Sequence, residues 1–127
     1  MKVTIESVTH LHAETHVCFS TDFGGAIASW KGSPPKIGAR YDVELDIDEI
    51  FVWGRNANPA SGDVCSIGLV EGSIILTGNV ISVGTDGVAA INVGGSVILL
   101  EIIQFSGAVP VFVDLKAEKI SLFPTGM

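Results

Sequence analysis

Cysteine is scarce in this chain. Cys18 and Cys65 are the only two among 127 residues; they form no Cys-x-x-Cys spacing and cannot frame a disulfide scaffold, so reduced thiols are expected. Basic charge is scarce too. Seven Lys and Arg stand against 14 Asp and Glu, a formal net charge of −7, and the resulting field repels nucleic-acid phosphates and anionic lipid. Long apolar runs are missing: the longest segments free of Asp, Glu, Lys and Arg, 72–85 and 87–100, are 14 residues each and broken by glycine. A helix that spans a bilayer needs roughly 20. Met-Lys-Val-Thr-Ile-Glu at the start places an acid where a secretory leader carries its apolar core, so the expected location is cytoplasmic, with no membrane contact. The phosphate loop, the dinucleotide glycine fingerprint, the nucleophile elbow and His-Glu-x-x-His are all absent. No segment carries the 3.6-residue apolar period of a three-turn helix.

What remains is extended, apolar chain. Hydrophobic residues make up 47% and charged residues 17%, with a mean hydropathy of +0.51, which excludes disorder. A single domain of this length buries roughly two thirds of its unfolded surface without metal or disulfide support. Three apolar runs over 74–103 are separated by Asp86-Gly87 and Gly94-Gly95. Such dipeptides accept φ > 0 and predict an antiparallel three-stranded meander with two-residue turns.

Other strands follow from period-2 alternation. Val3, Ile5, Ser7, Thr9 and Leu11 form one face of a first strand, and the odd-numbered face continues through Val17 and Phe19, with a turn at 13–15 or none. Residues 23–30 predict a third strand with a glycine bulge, and 31–36, with two consecutive prolines, a loop. In 40–48, Tyr41, Val43, Leu45 and Ile47 face inward while Asp42, Glu44, Asp46 and Asp48 face out. Residues 54–63 have loop composition, and 109–115 and 120–123 give two further strands around a turn or a single helical turn at 116–119. Nine to eleven strands and no helix predict an all-β domain, an antiparallel small barrel or compact sandwich of the OB or SH3-like kind. Residues 43–53 align without gaps on 113–123, with Val43/Val113, Leu45/Leu115 and Ile50/Ile120 identical. That echo suggests tandem halves, 1–55 and 72–127, against the alternative that amphipathic strands resemble one another.

Four features could carry function. His10, His12 and His16, with Glu14 and Cys18, fall on alternate residues and would share one strand face, a workable platform for zinc or a similar metal. The acidic row Asp42, Glu44, Asp46 and Asp48 spaces like charges about 7 Å apart and suits a basic protein partner, with Arg55 and Asn56 in the 54–63 loop as further contacts. Trp30, Lys31, Lys36 and Arg40 interleave aromatics and cations as a single-stranded nucleic-acid binder does, although the overall charge disfavours that reading. Finally, Val97, Ile98, Leu99, Leu100 and Ile102 make both faces of one strand apolar. With no helix to cover it, the outer face is expected to meet a second copy of the chain, since three such side chains left in water forfeit roughly 4 to 6 kcal/mol. The sequence therefore predicts a non-enzymatic interaction module that dimerises and presents an acidic strand. A metal-dependent protein and a nucleic-acid-binding barrel are the alternatives, and no cofactor is required by the first reading.

Overall fold

A computed structural model describes residues 1–125. Its twelve strands are β1 (Lys2–Leu11), β2 (Glu14–Thr21), β3 (Gly24–Trp30), β4 (Arg40–Asp46), β5 (Phe51–Val52), β6 (Ala57–Pro59), β7 (Ser66–Val70), β8 (Ser73–Val83), β9 (Val88–Val93), β10 (Ser96–Ile103), β11 (Val111–Ala117) and β12 (Ser121–Pro124). No described residue is helical, and no helix is long and apolar enough to cross a membrane.

Five strands close into a barrel. β1 pairs with β2, β2 with β3, β3 with β12, β12 with β4, and β4 returns to β1. The expected all-antiparallel pairing does not hold: β3–β12, β3–β7 and β5–β10 are parallel. Parallel neighbours need long crossovers, and the chain supplies one here by inserting β5–β11 between the fourth and fifth strands of the ring. Val3, Ile5, Val17, Phe19, Ala28, Trp30, Val43, Leu45 and Leu122 fill the barrel.

The insertion forms a second, outer sheet in the order β5–β10–β9–β8–β11–β6, continuous with the ring through the β3–β7 pairing. β7 and β9 share one edge of β8 in succession, while β11 takes the other. The predicted meander is present as β8–β9–β10. Its second turn has both Gly94 and Gly95 at positive φ, as expected, but the first is a four-residue turn in which only Gly87 is left-handed. There the Gly84 N–H donates to the Val88 carbonyl at 2.9 Å.

Close backbone approach joins the two sheets. A Cβ on Gly24 would sit on the Ile67 carbonyl oxygen, and one on Gly94 would sit inside the Phe23 ring; glycine is what lets β7 and the β9–β10 turn lie against the barrel. Gly24 therefore serves a sheet junction and Gly25 a close approach to the Phe19 carbonyl of β2, and the β2–β3 ladder has no bulge. The bulge is in β1, between Ile5 and Ser7, where no glycine signals it. It inverts the side-chain faces, so that Ile5 and then Val8 point inward, while Ser7, Thr9 and Leu11 turn outward.

Tandem halves are not what forms. β12 lies in the ring with β1–β4, whereas β5 lies in the second sheet, so neither 1–55 nor 72–127 is a unit. The similar segments 43–53 and 113–123 are instead the two passages between the sheets. They meet where Glu49 Oε2 accepts hydrogen bonds from the Glu118 N–H (2.9 Å) and the Lys119 N–H (3.3 Å). Ile50 is exposed at 55% and its counterpart Ile120 is buried at 1%, so the equivalence of sequence does not extend to environment.

Candidate functional site

The acidic strand alternates as its sequence dictates. Val43, Leu45 and Ile47 enter the core and Asp42, Glu44, Asp46 and Asp48 are exposed. One carboxylate of the row is paired: Asp42 Oδ2 accepts from Lys2 Nζ at 2.8 Å, and that hydrogen bond, followed by the Lys2 charge, holds the Asp42 carboxyl below its ordinary pKa. Glu44, Asp46 and Asp48 have no ion-pair partner among the described residues. On β12, Glu44 pairs with Phe123 and Asp46 with Ser121; Asp46 and Asp48 also border a cavity lined by Lys31 and Lys119, neither close enough to them for an ion pair.

Strand edges make the row part of a groove. β1 covers one edge of β4 up to Val43, whose N–H donates to the Met1 carbonyl (2.8 Å). β10 is joined along one edge by β9, but on the other only its last two residues are paired, Ile102 with Phe51 and Ile103 with Val52. Residues 43–50 and 96–101 thus run parallel and splay apart from that closed end. The gap holds two successive cavities of about 440 and 550 Å³. The first is lined by Glu44, Asp46, Val97 and Leu99, the second by Asp48, Glu49, Ile50 and Glu101. No Lys or Arg lines either. Val97 and Leu99 are 56% and 64% exposed, so an apolar wall faces a carboxylate wall.

No family model, curated protein or solved structure matches the chain. The reading of the site rests on its own chemistry.

β10 corrects one expectation. Ile98, Leu100 and Ile102 lie in the core of their own chain at 4%, 5% and 2% exposure, so they cannot form an interface between copies. Alternation leaves Val97, Leu99 and Ile103 on the outer face. A continuous apolar run cannot distinguish a strand covered on both faces from one covered on a single face.

The histidine cluster does not form. The β1–β2 turn is the two-residue pair His12-Ala13, both at positive φ, so Leu11 pairs with Glu14, His10 with Thr15 and Thr9 with His16. Paired residues share a face in an antiparallel ladder, and His10 and His16 therefore lie on opposite faces. His10 Nδ1 is 3.1 Å from Thr15 Oγ1, His12 is exposed on the turn, and no group of three His, Cys, Asp or Glu among the described residues could hold a metal. An even-residue turn placed one position earlier than expected reversed the parity on which the metal reading depended.

The nucleic-acid reading loses its stacking base. Trp30 is 4% exposed, its Nε1–H donates to the Ser33 carbonyl (2.7 Å), and its ring packs edge-on against Tyr41. In the 54–63 loop, Asn56 Oδ1 accepts the Val52 N–H at 2.6 Å and Asn58 Nδ2 donates to the Arg55 carbonyl. Asn56 thus holds its own loop, and Arg55 alone of that pair is free to meet a partner.

A second concavity, about 280 Å³, lies between β3 and the β7–β8 hairpin, closed by residues 118–120. Sequence reasoning missed it, because its wall residues come from four separate segments. Ile27, Leu69 and Ile74 are apolar walls and His16, Ser29 and Lys119 are polar members. Ser29 is 2% exposed and its hydroxyl has no hydrogen-bond partner, an arrangement that costs about 1–3 kcal/mol when nothing compensates it. Beside the concavity, Glu14 Oε1 is 3.4 Å from Lys119 Nζ and 3.7 Å from Lys31 Nζ, and Glu14 Oε2 is 3.6 Å from His16 Nε2. The Lys119 hydrogen bond is the main cause that lowers the Glu14 pKa.

Proposed function

We propose that this protein is a non-enzymatic binding module that holds an extended, basic segment of a partner protein in the β4–β10 groove. One observation carries the reading: Glu44 and Asp46 share a cavity with the exposed Val97 and Leu99, Asp48 lines the next cavity along, and neither lining holds a Lys or Arg; the one ammonium there, the Met1 N-terminus, donates to the Val43 carbonyl. Carboxylates at that spacing repel one another and attract Lys or Arg. An apolar wall opposite them gives alternate side chains of an extended segment somewhere dry to lie. Long-range attraction by an acidic surface speeds encounter, while contact with Val97 and Leu99 sets how long the complex lasts. The ring's strand order, with the third and last strands parallel, supports an OB-type barrel as the scaffold; that fold hosts many functions and does not itself name the partner. A cytoplasmic location accompanies this reading, supported by the free thiols Cys18 and Cys65.

The test is fluorescence anisotropy with a short labelled peptide that alternates Lys and Leu, beside one that alternates Glu and Leu. Binding of the first alone is expected, weakening steeply with salt. Asp46→Lys combined with Asp48→Lys should remove it and leave the melting temperature nearly unchanged. Equal affinity for the acidic peptide, or undiminished binding by the reversed variant, would sink the reading.

A specific observation favours a second use of the same surface. Ile81, Val88, Val97, Leu99 and Ile103 are 36–64% exposed on the neighbouring strands β8, β9 and β10, a patch suited to a two-fold dimer. Light scattering at micromolar concentration separates the two. A mass of two chains that returns to one in Leu99→Asp supports self-association, and a one-chain mass at all concentrations refutes it.

A further inference from the structure

We propose that the concavity between β3 and the β7–β8 hairpin binds a small amphipathic carboxylic acid, its hydrocarbon on Ile27, Leu69 and Ile74 and its carboxylate received by Ser29, His16 and Lys119. The site shares no lining residue with the β4–β10 groove and stands independently of the function proposed for it.

The walls set the apolar half of the ligand. Ile27 and Leu69 are each 44% exposed, and both border a concavity whose roughly 280 Å³ lies at the small end of ligand pockets. A short hydrocarbon removes these side chains from water; a large ring system has no room.

The polar half follows from Ser29. Its main-chain N–H is satisfied by the Ile120 carbonyl at 3.0 Å, and only the hydroxyl is unpartnered. Ala28 and Trp30 point into the barrel, so Ser29 points out of it, on the side of its cross-strand neighbour His16. Buried hydroxyls are almost always hydrogen-bonded; an acceptor brought in by a ligand would complete this one.

Charge selects the kind of acceptor. Two ammonium groups, Lys31 and Lys119, share the single carboxylate of Glu14, and Lys119 also lines the concavity. The rim carboxylate, Glu118, accepts from Ser73 Oγ at 3.3 Å. A ligand carboxylate would give Lys119 a second anionic partner while accepting from Ser29. A ligand amine would meet Lys119 as a like charge, and an alcohol would leave the ammonium unaddressed.

Calorimetry on the purified full chain with hexanoate, hexanol and hexylamine tests this. Hexanoate should bind saturably, with the alcohol and the amine at least about tenfold weaker, roughly 1.4 kcal/mol. Lys119→Gln should weaken hexanoate by a similar factor, and Ile27→Glu should abolish binding of all three. Ser29→Ala should weaken hexanoate without lowering the melting temperature, because it deletes a hydroxyl that has no partner within the protein. Equal affinity for acid and alcohol, absence of saturable hexanoate binding, or a Ser29→Ala variant that melts lower yet binds as before would each overturn the proposal.

Discussion

Two adjoining regions of this molecule handle charge in opposite ways. Around the β2–β3 side of the barrel, carboxylate and cation meet: Glu14 gathers Lys31, Lys119 and His16, and at the barrel's other end Asp42 takes Lys2. Along β4 beyond Asp42, Glu44, Asp46 and Asp48 have no ion-pair partner among the described residues, and the apolar surface opposite them is exposed. The difference teaches that a net charge of −7 is not spread evenly. Five of the seven basic residues, Lys2, Lys31, Lys36, Arg40 and Lys119, lie at or near the closed barrel, and the groove at the junction with the second sheet carries uncompensated charge.

The sharpest way to break this comparison uses neighbours on β10. Leu100 belongs to the core and Leu99 to the groove wall, so Leu100→Ala should lose about 2–5 kcal/mol in a urea titration. Leu99→Ala should stay within about 0.5 kcal/mol. Comparable losses would mean that both faces are buried, by a second copy if the loss at Leu99 grows with protein concentration. A smaller effect separates the charged regions. Asp46→Asn should leave stability unchanged or raise it by no more than about 0.5 kcal/mol, because it removes a repelling charge, and added salt should erase the gain. A clear loss would show that Asp46 has a cationic partner after all.

The smallest effect concerns pH. Lys2 holds the folded-state pKa of Asp42 below its unfolded value, so its stabilising contribution is complete above the ordinary carboxylate value, about 3.9. It disappears as pH falls through the folded value. In Lys2→Met, the Asp42 carboxyl followed by NMR should titrate closer to that ordinary value. An unmoved titration would assign the shift to another group.

Much of the architecture was legible. The β4 alternation, the β8–β9–β10 meander and the lack of helix all came from short-range pattern, since side-chain period and turn residues act over a few positions. The errors came from parity. A bulge at Ile5–Ser7 and a turn of two residues at His12-Ala13 each shift the register by one, and one residue is enough to move a side chain to the opposite face. His10 and His16 parted for that reason. Trp30 is ambiguous in the sequence, a core aromatic or part of a binding surface: a loop rich in Lys and Pro follows it, and only the packing against Tyr41 and the Ser33 carbonyl shows that it is closed off.

By itself, the sequence determined the strand class, the acidic row on β4 and the excess of apolar residues on β10, because those follow from local alternation and composition. Tertiary structure alone decided that these two segments, half a chain apart, form opposite walls of one groove, and that three further segments close around Ser29 and its own strand. Pairing between distant strands is fixed by which edges find partners and how the backbone approaches at glycines such as Gly24, and no periodicity in a linear chain encodes that choice.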